Sequence, residues 1–247
     1  MCHRAPGPAV SIVIPAKNES GNIRPLIGEI RTAMDGRFDY ELIYVDDGSS
    51  DDTYTLLKAL QEEGFDRLST VRHRKSVGQS TAVLSGAWKA CGEWLVVLDA
   101  DGQNDPADIP GMLQSVMEAH AQDARVWGVI GHRVNRRDDW VKRLSSRLAN
   151  GFRNALLKDG IPDTGCGLKA VLRERYLRLP SFDHMHRYIP TLIQAQGGVM
   201  RVHPVNHRPR QAGLSNYGVW NRLWVGLVDV LGVWWLKRRA KVVLIQE

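Results

Sequence analysis

Residues 94–103 read WLVVLDADGQ, an apolar run that leads directly into two aspartates. A short run of Trp, Leu and Val bounded by turn residues predicts a buried β-strand, here Trp94 to Leu98. Asp99 and Asp101 stand two residues apart on chain that is still nearly extended, so their carboxylates can point the same way. Two converging carboxylates suit a divalent cation such as Mg²⁺, whose other positions are filled by substrate phosphates and water. The spacing alone is also typical of an exposed turn.

Similar short runs alternate with helix-length stretches over the first half of the chain. The runs are Val10 to Ile14, Glu41 to Val45, Leu68 to Val71 and Val126 to Ile130, and the helical stretches include Asp52 to Glu63 and Ser80 to Ala90. This alternation predicts βαβ units with right-handed crossovers and a largely parallel sheet. Ligands bind beyond the carboxyl ends of the strands in such a sheet, so the residues after each run are the candidates for function.

Two more strand ends carry polar clusters. Residues 15–19 (PAKNE) follow the first run, and residues 46–53 (DDGSSDDT) follow the second. A turn that feeds a helix cap explains Ser50 and Asp51. It does not explain acidic clusters at the same end of two different strands, and these clusters favour a cation-binding site at that edge of the sheet.

The positive charge of the chain is concentrated at its C-terminal end. The 247 residues carry 33 Lys and Arg against 27 Asp and Glu, a net charge of +6. Residues 201–247 hold eight basic residues against Asp229 and Glu247, so this tail carries +6 and residues 1–200 are neutral in sum. Four of the eight tryptophans lie in the same tail, which predicts contact with an anionic membrane surface. Nucleic acid is the competing partner, but no nucleic-acid-binding motif accompanies the charge, so we expect none to bind.

The N-terminus and the cysteines predict a cytoplasmic protein. The apolar run before Pro15 is too short and too interrupted for the core of a signal peptide. Cys2, Cys91 and Cys166 are odd in number and lie far apart, which argues against a disulfide scaffold or a structural zinc site. A reducing compartment fits this pattern.

Four motifs, in this order, resemble the family 2 glycosyltransferases of GT-A fold. They are residues 12–19 (IVIPAKNE), 45–49 (VDDGS), 98–103 (LDADGQ) and 163–169 (DTGCGLK). The resemblance covers nearly the whole chain and is greatest to the branch that includes dolichyl-phosphate mannose synthase and the bacterial polyprenyl-phosphate glycosyltransferases. It implies an α/β fold, with a single GT-A domain over residues 1–217 whose Rossmann-like, mostly parallel sheet is flanked by helices. An amphipathic membrane-interface segment would follow over residues 218–247.

The resemblance implies which residues hold a nucleotide-sugar donor. The nucleoside would be held by Pro15, Ala16, Asn18, Glu19, Asp46, Asp47, Gly78 and Gln79. Asp99, Asp101 and Gln103 match the motif that binds the diphosphate together with Mg²⁺ or Mn²⁺. An ordinary glycine at a helix start is an equally good interpretation of Gly78.

The acceptor side is implied by arginine-bearing segments. Residues 131–133, 140–147 and 207–217 resemble the acceptor region of the lipid-phosphate branch, and they imply phosphate contacts from Arg133, Arg143, Ser146 and Arg210. The arginine fork binds phosphate oxygens in pairs, which suits a phosphate acceptor or a diphosphate leaving group. A solvated helix face is the alternative for Arg136, Arg137 and Arg147.

The implied reaction is an inverting transfer of a sugar from a UDP-sugar or GDP-mannose to undecaprenyl or dolichyl phosphate, for cell-envelope glycan or lipopolysaccharide modification. The enzyme must neutralise charge that grows on the diphosphate, and Asp99, Asp101, Gln103, Arg133 and Arg210 are the residues expected to do so with the metal. A phosphate acceptor is already largely ionised near neutrality, so it needs positioning cations and no general base. Such an enzyme would work at the inner face of the cytoplasmic membrane.

Two alternative functions stay open at this point. A glycosyltransferase that acts on a sugar hydroxyl would need a base such as Asp105 or Asp163. A protein that binds a nucleotide-sugar without catalysis would keep the fold, although the intact aspartate motif weighs against it. The chain also departs from the family pattern, because Asn216 stands where many relatives have Lys and Lys169 where Arg is common. The two transmembrane helices that end several bacterial relatives have no counterpart in the sequence.

The tail is predicted to contain an amphipathic helix. Apolar residues recur at helical spacing and are followed by the basic cluster 237–239; they are Trp220, Leu223, Trp224, Leu227, Leu231, Trp234 and Trp235. The helix can lie at a membrane interface or pack on its own domain, and we favour the interface because tryptophans are combined with basic residues. The apolar stretch is shorter than the ~20 residues that a membrane span needs.

Overall fold

The computed structural model describes residues 8–134, 151, 153–208 and 219–241, with the side chains of the last segment described from residue 226 onward. Its strands are β1 (Val10–Ala16), β2 (Tyr40–Asp46), β3 (Leu68–Arg72), β4 (Trp94–Val97), β5 (Val126–Arg133), β6 (Lys169–Leu172) and β7 (Val199–Val205). Its helices are α1 (Ser20–Met34), α2 (Thr53–Glu62), α3 (Gln79–Lys89), α4 (Ile109–Gln122), α5 (Arg173–Leu177), α6 (Ile189–Ala195) and α7 (Val219–Arg239). Residues 153–157 are also helical, and 3₁₀ turns lie at Pro106–Asp108 and Met185–Arg187.

The strands form one sheet in the order β3-β2-β1-β4-β6-β5-β7. Every neighbouring pair is parallel except those of β6, which runs antiparallel to both β4 and β5. The mostly parallel sheet and its first five strands confirm the prediction from the sequence, and β6 and β7 are additions to it. β7 was missed because it is an edge strand that includes Arg201, His203 and Pro204, so it does not read as a buried apolar run.

The core lies on both faces of the central strands. β1 and β4 read as almost continuous apolar runs because helices cover both of their faces, and all of β1 is buried except the partly exposed Pro15. Helix α3 lies unusually close to β1, since a Cβ added at Gly86 would stand 2.4 Å from a methyl carbon of Val13. The position therefore requires glycine, because α3 packs closely on β1 there.

One edge of the sheet collects the loops that carry the predicted motifs. Ala16 at the end of β1 lies beside Asp46 at the end of β2, and Val97 at the end of β4 lies beside Lys169 at the start of the antiparallel β6. Arg133 at the end of β5 lies beside Val205 in β7. The predicted donor segments and the described part of the predicted acceptor segments therefore lie at the same edge, as expected for a parallel sheet.

Helix α7 packs on the domain by one face and leaves a second apolar face exposed. Val230 and Val233 are buried, and Trp234 and Leu236 pack partly against the core. The exposed face consists of Leu227, Val228, Leu231 and Trp235, which are between 45% and 66% exposed. The packed face agrees with the alternative that the helix packs on its own domain, and the membrane interface stays a prediction for the exposed face. Within the described part of the chain, no helix has the length and apolar character needed to span a membrane.

The cysteines behave differently from one another. Cys166 is a buried free thiol, and burial raises its pKa. Cys91 is disulfide-bonded. That bond is at odds with the reducing compartment that the cysteine pattern favoured, although a single bond does not make a disulfide scaffold.

Candidate active site

The two aspartates after β4 lie at the edge of the sheet that collects the loops with the predicted motifs, which we call the site edge. Asp99 is partly buried and accepts hydrogen bonds from the side-chain amides of Gln79 (2.7 Å) and Asn104 (3.3 Å). Asp101 is 7% exposed, and its Oδ1 accepts from the backbone N–H of Gln103 (3.1 Å). The two carboxylates are thus fixed by neighbouring amides before any ligand binds.

The loop before β6 packs directly on Asp99. A Cβ placed at Gly167 would stand 1.9 Å from Asp99 Oδ2, so glycine is required there. Gly167 belongs to the motif 163–169, which is separated from Asp99 by more than sixty residues in the sequence. The close approach explains why a glycine in that motif matters to the site.

The electrostatics of this cluster favour a bound cation. Burial, and then the nearby charge of Asp101, raise the pKa of Asp99, while Lys169 acts in the opposite direction. Two oxygen ligands whose charges repel each other are a suitable partial donor set for Mg²⁺ or Mn²⁺, which relieves that repulsion. The described residues contain no group of three or more His, Cys, Asp or Glu that could hold a metal.

Lys169 brings a buried cation into the same cluster. The side chain is 3% exposed, and its ammonium group donates to the carbonyl of Cys166. Burial lowers the pKa of Lys169, while Cys166, Asp99 and Asp163 act to raise it. The lysine therefore lies between the carboxylates of the donor side and those of the acceptor side.

Asp47 holds the loop that precedes α3. Its two carboxylate oxygens accept from His73 Nδ1 (2.8 Å), Ser76 Oγ (2.7 Å) and the backbone N–H groups of Val77 (2.9 Å) and Gly78 (3.0 Å). Burial alone would raise the pKa of Asp47, but these hydrogen bonds outweigh it and lower the pKa. Asp47 therefore shapes the predicted nucleoside side of the site by fixing this loop.

Asp46 is turned away from the site edge. Its side chain is fully buried, with Oδ1 accepting from the backbone N–H of Ser49 (3.0 Å) and Oδ2 lying 3.2 Å from Arg72 Nε. These contacts brace the β2–α2 turn. The structure thus separates two adjacent aspartates that the sequence placed together in one nucleoside-binding group.

The β1–α1 loop, with Pro15 and Ala16 at its start, is tied to the β2–α2 loop. Asn18 has a φ of 56°, and its side-chain oxygen accepts from the backbone N–H of Ser50 (2.8 Å). The Glu19 backbone N–H donates to Thr53 Oγ1 (2.9 Å), and Glu19 Oε2 accepts from Asn22 (2.6 Å). The Ala16 carbonyl accepts from the Asp47 N–H (2.8 Å). The predicted nucleoside residues of both loops therefore form one wall.

Gly78 and Gln79 begin helix α3 next to the aspartates. Gly78 has a φ of 92°, which glycine adopts without strain, and it immediately precedes the helix. Both earlier interpretations of this glycine are compatible with its position, since it starts the helix and lies on the site edge. Gln79, the first residue of α3, reaches Asp99 as described above.

The predicted acceptor side contains a pair of oppositely charged residues. Arg133 and Asp163 form a two-pronged ion pair, with Nε to Oδ2 and Nη2 to Oδ1 both at 2.7 Å. Both side chains are largely buried, at 15% and 7% exposure. The other predicted phosphate contacts, Arg143, Ser146 and Arg210, lie outside the described residues.

Arg208 is held in a structural role. Its guanidinium pairs with Glu29 of α1 (3.2 and 2.7 Å) and donates to the carbonyl of Asn104 (3.1 Å). Its backbone N–H donates to the carbonyl of Gln103 (3.0 Å). The described start of the predicted acceptor segment 207–217 therefore runs along the aspartate loop.

Three residues of the site were not singled out from the sequence: Asn104, Gly167 and His186. Lys169 was noted only as a departure from the family pattern. Asn104 directly follows the aspartate motif and could have been included on that basis. Gly167 lies inside a quoted motif, but its close approach is to Asp99, which follows β4. His186 contacts Ser80 Oγ through Nδ1 (2.8 Å), and nothing in the local pattern signals it.

Comparison with known proteins gives the same fold and a family. Residues 11–178 match the family described as Glycosyl transferase family 2. The chain is 33% identical over 214 residues to the undecaprenyl-phosphate 4-deoxy-4-formamido-L-arabinose transferase of Edwardsiella ictaluri, covering 85% of this chain and 63% of that protein. It is 32% identical over 234 residues to the dodecaprenyl-phosphate galacturonate synthase of Rhizobium johnstonii, covering 93% of this chain and 67% of that protein. The chain thus spans less than two thirds of the length of the first of these relatives.

Two solved structures share the architecture. A mannosyltransferase from Pyrobaculum calidifontis in complex with GDP-Man and Mn²⁺ has a TM-score of 0.69 at 23% identity, over 98% of this chain and 68% of that one. Glucosyl-3-phosphoglycerate synthase from Mycobacterium tuberculosis in complex with Mg²⁺ and UDP has a TM-score of 0.66 at 18% identity, over 96% and 81%. These likenesses establish the GT-A type of fold. The chain belongs to glycosyl transferase family 2.

Proposed function

We propose that this protein transfers a sugar, with inversion, from a nucleotide-sugar to the phosphate of a polyprenyl phosphate such as undecaprenyl or dolichyl phosphate. The family assignment supports sugar transfer, and the two relatives named above are, by their names, transferases or synthases of polyprenyl-phosphate sugars. The product would serve cell-envelope glycan or lipopolysaccharide modification. The sugar and the base of the donor are left open between a UDP-sugar and GDP-mannose.

The choice of a phosphate acceptor is supported chiefly by the ion pair between Arg133 and Asp163. A hydroxyl acceptor must lose its proton to a base, and Asp163 was a candidate for that role. Both of its oxygens face the guanidinium at 2.7 Å, which makes the carboxylate a poor proton acceptor. The other candidate, Asp105, caps the 3₁₀ turn by accepting from the Ala107 N–H (3.0 Å). A phosphate is already largely ionised near neutrality and needs neither of them.

The donor would bind across the loops after β1, β2 and β4. Pro15, Ala16, Asn18, Glu19, Asp47, Gly78 and Gln79 would form the nucleoside wall, with Asp46 bracing it from below. Asp99, Asp101 and Gln103 would hold the diphosphate and its Mg²⁺ or Mn²⁺. The metal supplies positive charge to the diphosphate as it leaves. The amide contacts to Asp99 and Asp101 keep those carboxylates in place, so little reorganisation accompanies the reaction.

The acceptor phosphate would lie on the β5 and β7 side of the same edge. Arg133 is the described residue that we assign to it, and Arg143, Ser146 and Arg210 complete the proposed set. Asp163 orients the Arg133 guanidinium by accepting from its Nε and Nη2 groups.

Attachment to the inner face of the cytoplasmic membrane would come from the segment 218–247, which we propose as a functional unit beside the domain 1–217. The apolar face of Leu227, Val228, Leu231 and Trp235 lies on the same helix as the basic residues 237–239, and such a combination binds anionic lipid surfaces. The protein would then meet a polyprenyl phosphate whose tail stays in the bilayer.

The proposal is tested by donor profiling. Purified protein, undecaprenyl phosphate in detergent and Mg²⁺ are incubated with radiolabelled UDP-sugars and GDP-mannose, and organic-extractable label is counted. We expect at least one donor to give extractable, acid-labile product. Label that stays in the water phase with every donor, or that passes to an added sugar, would favour the hydroxyl acceptor instead. Nucleotide binding without any transfer would favour a non-catalytic binding protein.

A further inference from the structure

A turn far from the sequence motifs contacts the first helical turn of α3. This turn, Asp183–Arg187, follows α5 and includes His184 with a φ of 62°. His186 contacts the Ser80 hydroxyl twice, through Nδ1 (2.8 Å) and through its backbone N–H (3.2 Å). Asp183 Oδ1 lies 3.3 Å from the place where a Cβ of Gly78 would stand. The turn therefore covers the start of α3.

One arrangement of hydrogens that satisfies both contacts has a neutral imidazole with its hydrogen on Nε2. The Ser80 oxygen then accepts from the His186 backbone N–H, and the Ser80 hydroxyl donates to Nδ1. Burial, followed by the charges of Lys169, Arg187 and His184, lowers the pKa of His186 well below its ordinary value, in agreement with a neutral ring.

Ser80 is linked to both donor-site carboxylates through its neighbours in the chain. Gln79 donates to Asp99 Oδ1 (2.7 Å), and the Gly78 N–H donates to Asp47 Oδ2 (3.0 Å). A shift of Ser80 would therefore move both contacts, because a helix turn moves as a unit. Within the described part of the chain, His186 makes hydrogen bonds to Ser80 and none to Asp47 or Asp99.

The turn is braced from behind by the C-terminal helix. His184 Nδ1 lies 3.2 Å from Asp229 Oδ2 on α7, and the Tyr188 hydroxyl contacts the Gly226 carbonyl (3.4 Å). α7 thus supports the side of the turn that faces away from α3. The contacts form a continuous path from α7 through His184 and His186 to Ser80.

We propose that His186 is a positioning residue for the donor site, which holds Ser80 so that Gln79 stays on Asp99 and Gly78 stays on Asp47. The inference rests on the proposed function, since it assigns these contacts to the binding of a nucleoside diphosphate and its metal. It predicts that loss of the His186 contact weakens binding of the donor and leaves binding of the acceptor unchanged, because the proposed acceptor residues lie on other elements.

The test compares three histidine variants and one serine variant. His186→Leu removes the side-chain contact, His186→Asn keeps an acceptor near the position of Nδ1, and Ser80→Ala removes the shared hydroxyl. His120→Leu is the matched control, because His120 is also partly buried and bonded through Nδ1, to the carbonyl of Val126 (2.8 Å), away from the site edge. Binding of UDP and of GDP in the presence of Mn²⁺ is measured by calorimetry, and the KM values of donor and acceptor are measured separately.

We expect His186→Leu and Ser80→Ala to weaken nucleotide binding and raise the donor KM about tenfold, with the acceptor KM unchanged. His186→Asn should restore both values to within about twofold of the wild type, and His120→Leu should lower only the Tm. If His186→Leu does not fold, nucleotide binding and donor KM are compared between Ser80→Ala and the wild type instead. Equal shifts of donor and acceptor KM, or normal nucleotide binding by both variants, would overturn the inference. A wild-type protein that binds neither nucleotide would contradict the proposed function itself.

Discussion

The donor side and the acceptor side of the site edge are stabilised in different ways. On the donor side, hydrogen bonds hold Asp47, which accepts four from one loop, and Asp99, which accepts two from side-chain amides, while the buried Asp46 is paired with Arg72. On the acceptor side, opposite charges hold each other, as in the pair of Arg133 and Asp163. The donor side therefore keeps negative charge available for a cation, whereas the charge of Arg133 is balanced within the protein.

The difference assigns separate tasks to the two sides. Neutral hydrogen bonds fix a carboxylate without cancelling its charge, which suits binding of a metal with a diphosphate. An ion pair fixes an arginine in a largely buried place at a lower desolvation cost than an isolated charge would have. Changes on the donor side should thus affect metal and nucleotide, and changes on the acceptor side should affect the lipid phosphate and the stability of the fold.

The largest effect should follow from removing a donor-side charge. We expect Asp101→Asn to lower turnover by about a thousandfold or more, because the metal loses a charged ligand worth several kcal/mol. Chelation should abolish activity reversibly in the wild type. Initial rates and Tm are measured beside Asp66→Asn, an exposed residue that should leave both unchanged. Full activity in excess chelator would show that the enzyme does not need a metal, and would contradict this prediction.

A purely steric change on the same side should come next. In Gly167→Ala the new Cβ would stand 1.9 Å from Asp99 Oδ2, so Asp99 has to move. We expect turnover to fall roughly a hundredfold, the scale reported for small displacements of catalytic groups. Gly165→Ala is the control in the same loop, since its nearest neighbour, Arg133 Nη2, is 3.4 Å away. Similar losses in both variants would mean that the loop tolerates no side chain anywhere, and would leave Asp99 out of the explanation.

On the acceptor side, Arg133→Ala should separate the two substrates. We expect the KM for the lipid phosphate to rise roughly tenfold to a hundredfold, from the loss of a charge-assisted contact. The variant should also lose about 3 kcal/mol of stability, because a largely buried carboxylate loses its guanidinium. Arg125→Ala, which breaks an exposed ion pair with Asp123, is the control. An equal rise in the KM of the nucleotide-sugar would place Arg133 on the donor side and contradict the division of tasks between the two sides.

The exposed apolar face of α7 is where the proposed membrane attachment can be tested. Trp235→Ser should lower binding to anionic liposomes by roughly tenfold, because a large apolar side chain no longer enters the interface. Trp88→Ser on α3 is the control, since Trp88 is 71% exposed but lies on another helix. Flotation is compared at low and high salt, and high salt should weaken binding of the wild type. A chain that ends at Gly218 would test attachment less cleanly, because Val230 and Val233 belong to the core.

The smallest effect should be an acid-dependent one at Asp47. Its pKa is lowered in the folded protein, so the stability that it contributes is present above the unfolded value of about 4 and is lost as the pH falls through the folded pKa. Asp47→Asn should therefore be less stable than the wild type at pH 7, and the difference should shrink below about pH 4. Chemical denaturation at a series of pH values measures this, and a constant difference across the range would contradict the assignment.

The donor side could be predicted from the sequence more fully than the acceptor side. Its residues follow apolar runs directly, so Asp99, Asp101 and Asp47 were placed at one edge by strand ends alone. The sequence could not tell that Asp46 turns inward, because adjacent residues alternate in direction only while the strand lasts. On the acceptor side, Arg133 and Asp163 are thirty residues apart, and their pairing depends on the antiparallel direction of β6, which no local pattern revealed.

The central claim is that the acceptor oxygen arrives already ionised, so that no general base is required. The direct measurement gives the same protein equal amounts of undecaprenyl phosphate and undecaprenol with the labelled donor that the profiling identifies. We predict extractable product with the phosphate and none above background with the alcohol, from pH 7 upward. Transfer to the alcohol at a comparable rate would show that a base operates in this site, and would contradict the account.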